Sequence, residues 1–96
     1  MATVTSTRGP LPAGGAARLF SVLLSLTPAE VSALDALPIQ DGDLAAALMT
    51  VDFAPRRVRR RGNELGIDYV GDTNNATDVA ELCRLAVESK LGTPQD

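Results

Sequence analysis

The sequence has no histidine and no tryptophan, a single cysteine, and only three aromatic side chains, Phe20, Phe53 and Tyr69. Without histidine, the side chain that titrates near neutral pH and most often moves protons in catalysis is missing. Cys83 alone gives no clustered spacing for zinc or another transition metal. Asp68, Asp72, Asn74 and Asp78 lack the regular alternation and closing glutamate of a calcium loop. Asp41, Asp43, Asp72 and Asp78 are more simply turn and cap residues. The expectation is a protein with no catalysis, no cofactor and no metal. One cysteine cannot close an internal disulfide, which fits a reducing compartment. No run reaches the ~20 apolar residues that cross a bilayer. Residues 19–26 are apolar, but Ser21 and Ser25 interrupt them, and the preceding segment is too rich in Gly and Pro for a secretory leader. A cytoplasmic protein with no membrane partner is expected.

What is present is mostly Leu, Ala and Val, in a chain of 96 residues that is 45% hydrophobic, enough for one small domain. Leu and Ala favour helices, whereas strands favour β-branched and aromatic residues. The composition therefore predicts an all-α fold, a small antiparallel bundle of five to six helices. Residues 1–15, with Thr3, Thr5, Ser6, Thr7, Gly9, Pro10, Pro12, Gly14 and Gly15, read as a flexible arm. Residues 16–92 form the helical domain and residues 93–96 a flexible tail.

Within that domain, Leu19, Val22, Leu23 and Leu26 have the spacing of one helical face and predict a helix over residues 16–26. Thr27-Pro28-Ala29-Glu30 is a capping box with proline at the first helical position. It opens a helix whose Val31, Leu34 and Leu37 share a face before Pro38 stops it. Asp41-Gly42-Asp43 predicts a turn, and Leu44, Ala47, Leu48 and Val51 a third helix. A fourth is expected over residues 55–65, with Val58 and Leu65 on its inner face and Gly66 as its left-handed stop. Ile67, Tyr69 and Val70 suit a short extended piece or a helical turn, and residues 71–75 a loop. The last helix runs from Thr77 or Asp78 to Leu91, with Val79, Leu82, Cys83 and Ala86 as its apolar stripe and Asp78 as a cap-like start. Cys83 reads as a small core residue rather than a reactive thiol.

Five of the nine cationic side chains lie within six residues: Arg56, Arg57, Arg59, Arg60 and Arg61. The net charge is −3, so any attraction to anions is local to this run. As a helix face it would be crowded, because like charges three and four residues apart repel. Three readings compete: a solvated face, a phosphate-contact surface, and a protein interface. Phosphate is disfavoured by the acidic net charge and the shortage of stacking aromatics. Arginine is enriched at interfaces, and charge complementarity fixes partner and register. Asp35, Asp41 and Asp43 supply an acidic patch on the same molecule, so a head-to-tail homo-oligomer is expected.

Leu26-Thr27-Pro28-Ala29-Glu30 opening a helix, Asp43-Leu44 opening a short one, Leu65-Gly66-Ile67 after the arginine segment, and the final run from Asp78 to Ala86 together resemble the bacterial effector-associated domains. That resemblance spans about residues 19–91. It implies a death-fold-like bundle related to caspase-recruitment domains. It also implies an adaptor role, recruiting proteases, nucleases or other effectors by like-with-like contacts in bacterial immunity. The functional expectation is a protein interaction module that associates with itself, a like domain or an effector. Its sites would be Arg56, Arg57, Arg59, Arg60 and Arg61 facing Asp35, Asp41 and Asp43. A nucleic-acid-binding protein using the same arginines is the alternative.

Overall fold

Phe20, Val22 and Leu24 are buried, whereas Leu19, Ser21, Leu23 and Ser25 between them stay partly exposed. Period two is the pattern of a strand with one covered face. A computed structural model describes residues 2–36, 44–49 and 53–91. Its elements are β1 (Thr3–Pro12), β2 (Arg18–Ser25), α1 (Pro28–Ala36), α2 (Leu44–Leu48), β3 (Arg57–Arg61), β4 (Glu64–Gly71) and α3 (Ala76–Leu91). The strands form one antiparallel sheet in the order β1-β2-β4-β3. The fold is mixed α/β. The expected all-α bundle, with its death-fold-like topology, is incorrect.

Three segments account for the difference. The helix expected over residues 16–26 is β2 instead. Leu19, Val22, Leu23 and Leu26 match a helical face, but Phe20, Val22, Leu24 and Leu26 match a strand equally well. Pairing with β4, from Arg18↔Gly71 to Ser25↔Glu64, decides between them. Most of the expected arm is the edge strand β1, paired to β2 from Thr3↔Ser25 to Pro12↔Arg18. Thr and Val suit an extended backbone, and β2 supplies the partner that an isolated arm would lack. The ladder is irregular, with register shifts between Val4 and Ser6 and between Arg8 and Leu11. Gly9 in this stretch has φ +120°, and a Cβ there would meet the Leu19 carbonyl oxygen at 2.6 Å. Only glycine fits such a position.

The helix expected over residues 55–65 is a β-hairpin. Arg61 pairs with Glu64, leaving Gly62-Asn63 as a two-residue loop. Gly62 has φ +63° and Asn63 does not have positive φ, the combination of a type II′ turn. Gly66 consequently stops no helix and lies within β4, as do Ile67, Tyr69 and Val70.

α1 forms where the sequence places it. The Thr27 N–H donates to Glu30 Oε1 at 2.9 Å, and the Glu30 N–H donates to Thr27 Oγ1 at 3.2 Å, the reciprocal capping box. α3 starts slightly earlier than expected. Asn75 Oδ1 accepts the Asp78 N–H at 3.2 Å, so Asn75 is the cap and Asp78 sits in the first turn. The predicted turn at Asp41-Gly42-Asp43 and the predicted tail lie outside the described residues.

The helices gather on one side of the sheet. α3 packs across β1 and β2, α2 lies beside β3 and α3, and α1 packs against α3. Phe20, Val22, Leu24, Leu65 and Ile67 meet Leu34, Leu48, Val79, Cys83, Val87 and Leu91 in a single core. Phe53 stacks on Tyr69 with ring centres 5.7 Å apart and planes 6° from parallel. The other sheet face has no covering element among the described residues.

Candidate functional site

Directly opposed residues on neighbouring strands share a face, so the ladder registers order the uncovered side chains into rows. One row runs Arg8, Ser21, Asp68, Arg57 across β1, β2, β4 and β3. The next runs Ser6, Leu23, Gly66, Arg59, and a third brings together Ser25, Glu64 and Arg61. Ser21 Oγ donates to Asp68 Oδ1 at 2.9 Å, while Arg59 Nη2 stands 3.7 Å from Asp68 Oδ2. A shallow concavity of about 350 Å³ lies between Arg8 and Arg59, with Leu23 and Gly66 among its lining residues. Gly66 leaves room there, because an added Cβ would meet nothing closer than the Arg59 carbonyl oxygen at 4.0 Å.

The strand pleat divides the arginine run. Arg57, Arg59 and Arg61 project onto the uncovered face, while Val58 and Arg60 point to the helix side. Val58 is only 7% exposed and anchors β3 in the core. The Arg60 guanidinium forms an ion pair with Asp35 of α1, and its Nε donates to the Gly62 carbonyl oxygen at 3.0 Å. Arg56 precedes the strand, and its backbone N–H donates to the Asp68 carbonyl oxygen at 2.8 Å. Of the expected acidic residues, Asp35 is thus joined to an arginine of its own chain. Asp41 and Asp43 lie outside the described residues.

Sequence reasoning missed Arg8, which reaches this face only because β1 pairs with β2. One local signal did announce the hairpin. Gly62-Asn63 separates Arg57-Val58-Arg59 from Leu65-Gly66-Ile67, and glycine followed by asparagine between alternating segments marks a two-residue hairpin.

Elsewhere the charges and the thiol are structural. Arg84 bridges Glu81 and Glu88, with Nη1 donating to Glu88 Oε2 at 2.8 Å. It holds the exposed Glu81 carboxyl below the usual carboxylate range, chiefly by hydrogen bonding, and its own pKa rises in return. Burial pushes the Cys83 thiol up to about 12, the opposite of an activated nucleophile. Among the described residues no group of three or more His, Cys, Asp and Glu side chains is placed to hold a metal ion. No described helix is long and apolar enough to cross a membrane. No family model, curated protein or solved structure matches the chain.

Proposed function

We propose that this chain is a non-catalytic cytoplasmic interaction module that binds an acidic protein partner through the arginine-bearing side of its open sheet face. The pleat of β3 carries the proposal, because it puts Arg57, Arg59 and Arg61 side by side on a face that no element covers among the described residues. Residues two apart on a strand sit about 6.7 Å apart, a spacing that lets each guanidinium take its own carboxylate. Arg8, Arg57 and Arg61 have no carboxylate partner within ion-pair distance among the described residues, and Arg59 has only a long contact of 3.7 Å.

Placement of the aromatics favours protein over nucleic acid. Phe20 and Phe53 are buried, and Tyr69 stacks on Phe53 on the helix side, so the open face offers no platform for bases. A phosphate backbone would also meet a net charge of −3 at long range. Self-association through opposite patches is the special case in which a second copy supplies the acid. Asp35, the described member of the expected acidic patch, is already paired with Arg60 of its own chain, so a foreign acidic protein is the simpler complement.

Fluorescence anisotropy with labelled oligoglutamate and with duplex DNA tests the proposal, and light scattering follows self-association. Oligoglutamate should bind saturably at low salt, and the variant R57E/R59E/R61E should lose that binding while keeping its circular dichroism spectrum. Binding of DNA without oligoglutamate overturns the proposal in favour of a nucleic-acid role.

A further inference from the structure

β3 is an edge strand, with β4 on one side and no strand on the other among the described residues. In an antiparallel ladder, roughly every second residue of an edge strand turns its N–H and C=O away from its partner. Such an edge is a template for another extended chain unless something blocks it. The two edges of this sheet differ. β1 carries Pro10 and Pro12, which donate no ladder hydrogen bond, and two register irregularities. β3 has no proline, no glycine and no bulge over its five residues.

We infer that β3 takes an acidic segment of a partner protein as a fifth, added strand, a binding mode that rests on the acidic-partner reading above. Charge selects the occupant. A second copy pairing β3 to β3 would set arginines against arginines, which cross-strand pairing penalises. An acidic strand reverses the sign of those terms. The pleat also specifies its pattern. Partner side chains beside Arg57, Arg59 and Arg61 on the open face are acidic at every second position. The intervening ones lie on the helix side next to Val58 and Arg60, where β-branched residues suit an extended backbone. The partner sequence is therefore an alternation of Glu or Asp with Val, Ile or Thr, not a block of acid. Backbone hydrogen bonds supply attraction, and the alternating carboxylates supply register.

Four labelled octapeptides separate the possibilities by anisotropy: alternating Glu-Val, the same composition with glutamates and valines in two blocks, and two alternating Glu-Val peptides with N-methyl groups on every second amide, one in each phase. The alternating peptide is expected to bind roughly tenfold or more tighter than the block peptide. N-methylation in one phase should abolish that advantage and in the other leave it. A charge-swapped protein, R57E/R59E/R61E, should reject Glu-Val and accept an alternating Lys-Val peptide. Equal binding of the block peptide and both methylated peptides overturns strand addition and leaves the acidic-partner reading standing. Failure of every acidic peptide, oligoglutamate included, overturns both.

Discussion

Replacing Leu24 and, separately, Leu23 by alanine sets the strand register directly against a helical one. Leu24 is fully buried and lies opposite Leu65, itself fully buried. Truncating a core leucine to alanine costs about 2–5 kcal/mol, from lost transfer energy plus the cavity left behind. Both neighbouring strands are fixed by ladder hydrogen bonds, so the cavity has little freedom to collapse. A cost of about 3–4 kcal/mol is expected. Leu23 is on the open face, partly exposed, and opposite Gly66, which has no side chain to pack against it. Full burial of a leucine is worth about 1.5–3 kcal/mol, so a partly covered one loses about 1 kcal/mol or less. At about 4–8 °C per kcal/mol for a domain of this size, Leu24→Ala lowers Tm by more than ~12 °C, and Leu23→Ala by a few degrees. Urea unfolding followed by circular dichroism, compared at equal m, measures both. A helix over residues 16–26 would bury Leu23 with Leu19 and Leu26 and predict similar losses. A Leu23→Ala cost equal to or above that of Leu24→Ala refutes the sheet register.

The hairpin has its own probe: Gly62→Val forces a β-branched residue to φ +63° and should cost about 1–3 kcal/mol in thermal unfolding, with Gly62→Asn much milder. With its thiol pushed up to about 12, Cys83 should alkylate at pH 8 roughly a thousandfold slower than free cysteine, and at the ordinary rate once urea unfolds the chain. Glu81 has a folded pKa below its unfolded one, so its pairing with Arg84 stabilises fully above the ordinary carboxylate pKa and is lost as pH falls through the lowered value. Glu81→Gln should therefore flatten the acid limb of a stability-against-pH profile and leave the limb above neutrality unchanged.

How far residues disclose structure here depends on the range of the interaction that decides them. The Thr27–Glu30 capping box is settled within four residues, and α1 forms where it says. Leu82, Cys83 and Ala86 recur along a segment with one dominant period, and α3 follows it. Residues 16–26 carry two periods at once, so the choice waits for Tyr69, Ile67 and Leu65 from a strand more than forty residues away. High Leu and Ala content tilted that choice towards helix, and tertiary pairing overrode the propensity. Arg57–Arg61 posed a different problem. One apolar residue among arginines shows no period at all, and only the Gly62-Asn63 turn, with Leu65 and Ile67 beyond it, reveals the alternation. Arg8 belongs to the site through the β1–β2 ladder alone and was not legible locally.

Correcting helix to strand also changes the physical meaning of the arginine run. On a helix, Arg56, Arg57, Arg60 and Arg61 would repel across three- and four-residue spacings with no relief but Glu64. On a strand, successive arginines alternate between faces, so Arg60 leaves the others and meets Asp35 across the sheet edge. The remaining three stay about 6.7 Å apart on one side, inside the ~8 Å Debye length at physiological salt, so it is mainly the high dielectric of water that weakens their repulsion. Their mutual repulsion is then modest, and Asp68, opposite Arg57 and 3.7 Å from Arg59, and Glu64, opposite Arg61, offset part of it. What they cannot tolerate is a second, identical strand alongside, which would place arginine beside arginine in the hydrogen-bonded geometry of a sheet. In the proposed binding mode, the charge that disfavours pairing of this edge with copies of itself is the charge that would admit an acidic strand. Salt should therefore act on both: raising ionic strength weakens the acidic partner and, in the same range, lifts the barrier to self-pairing.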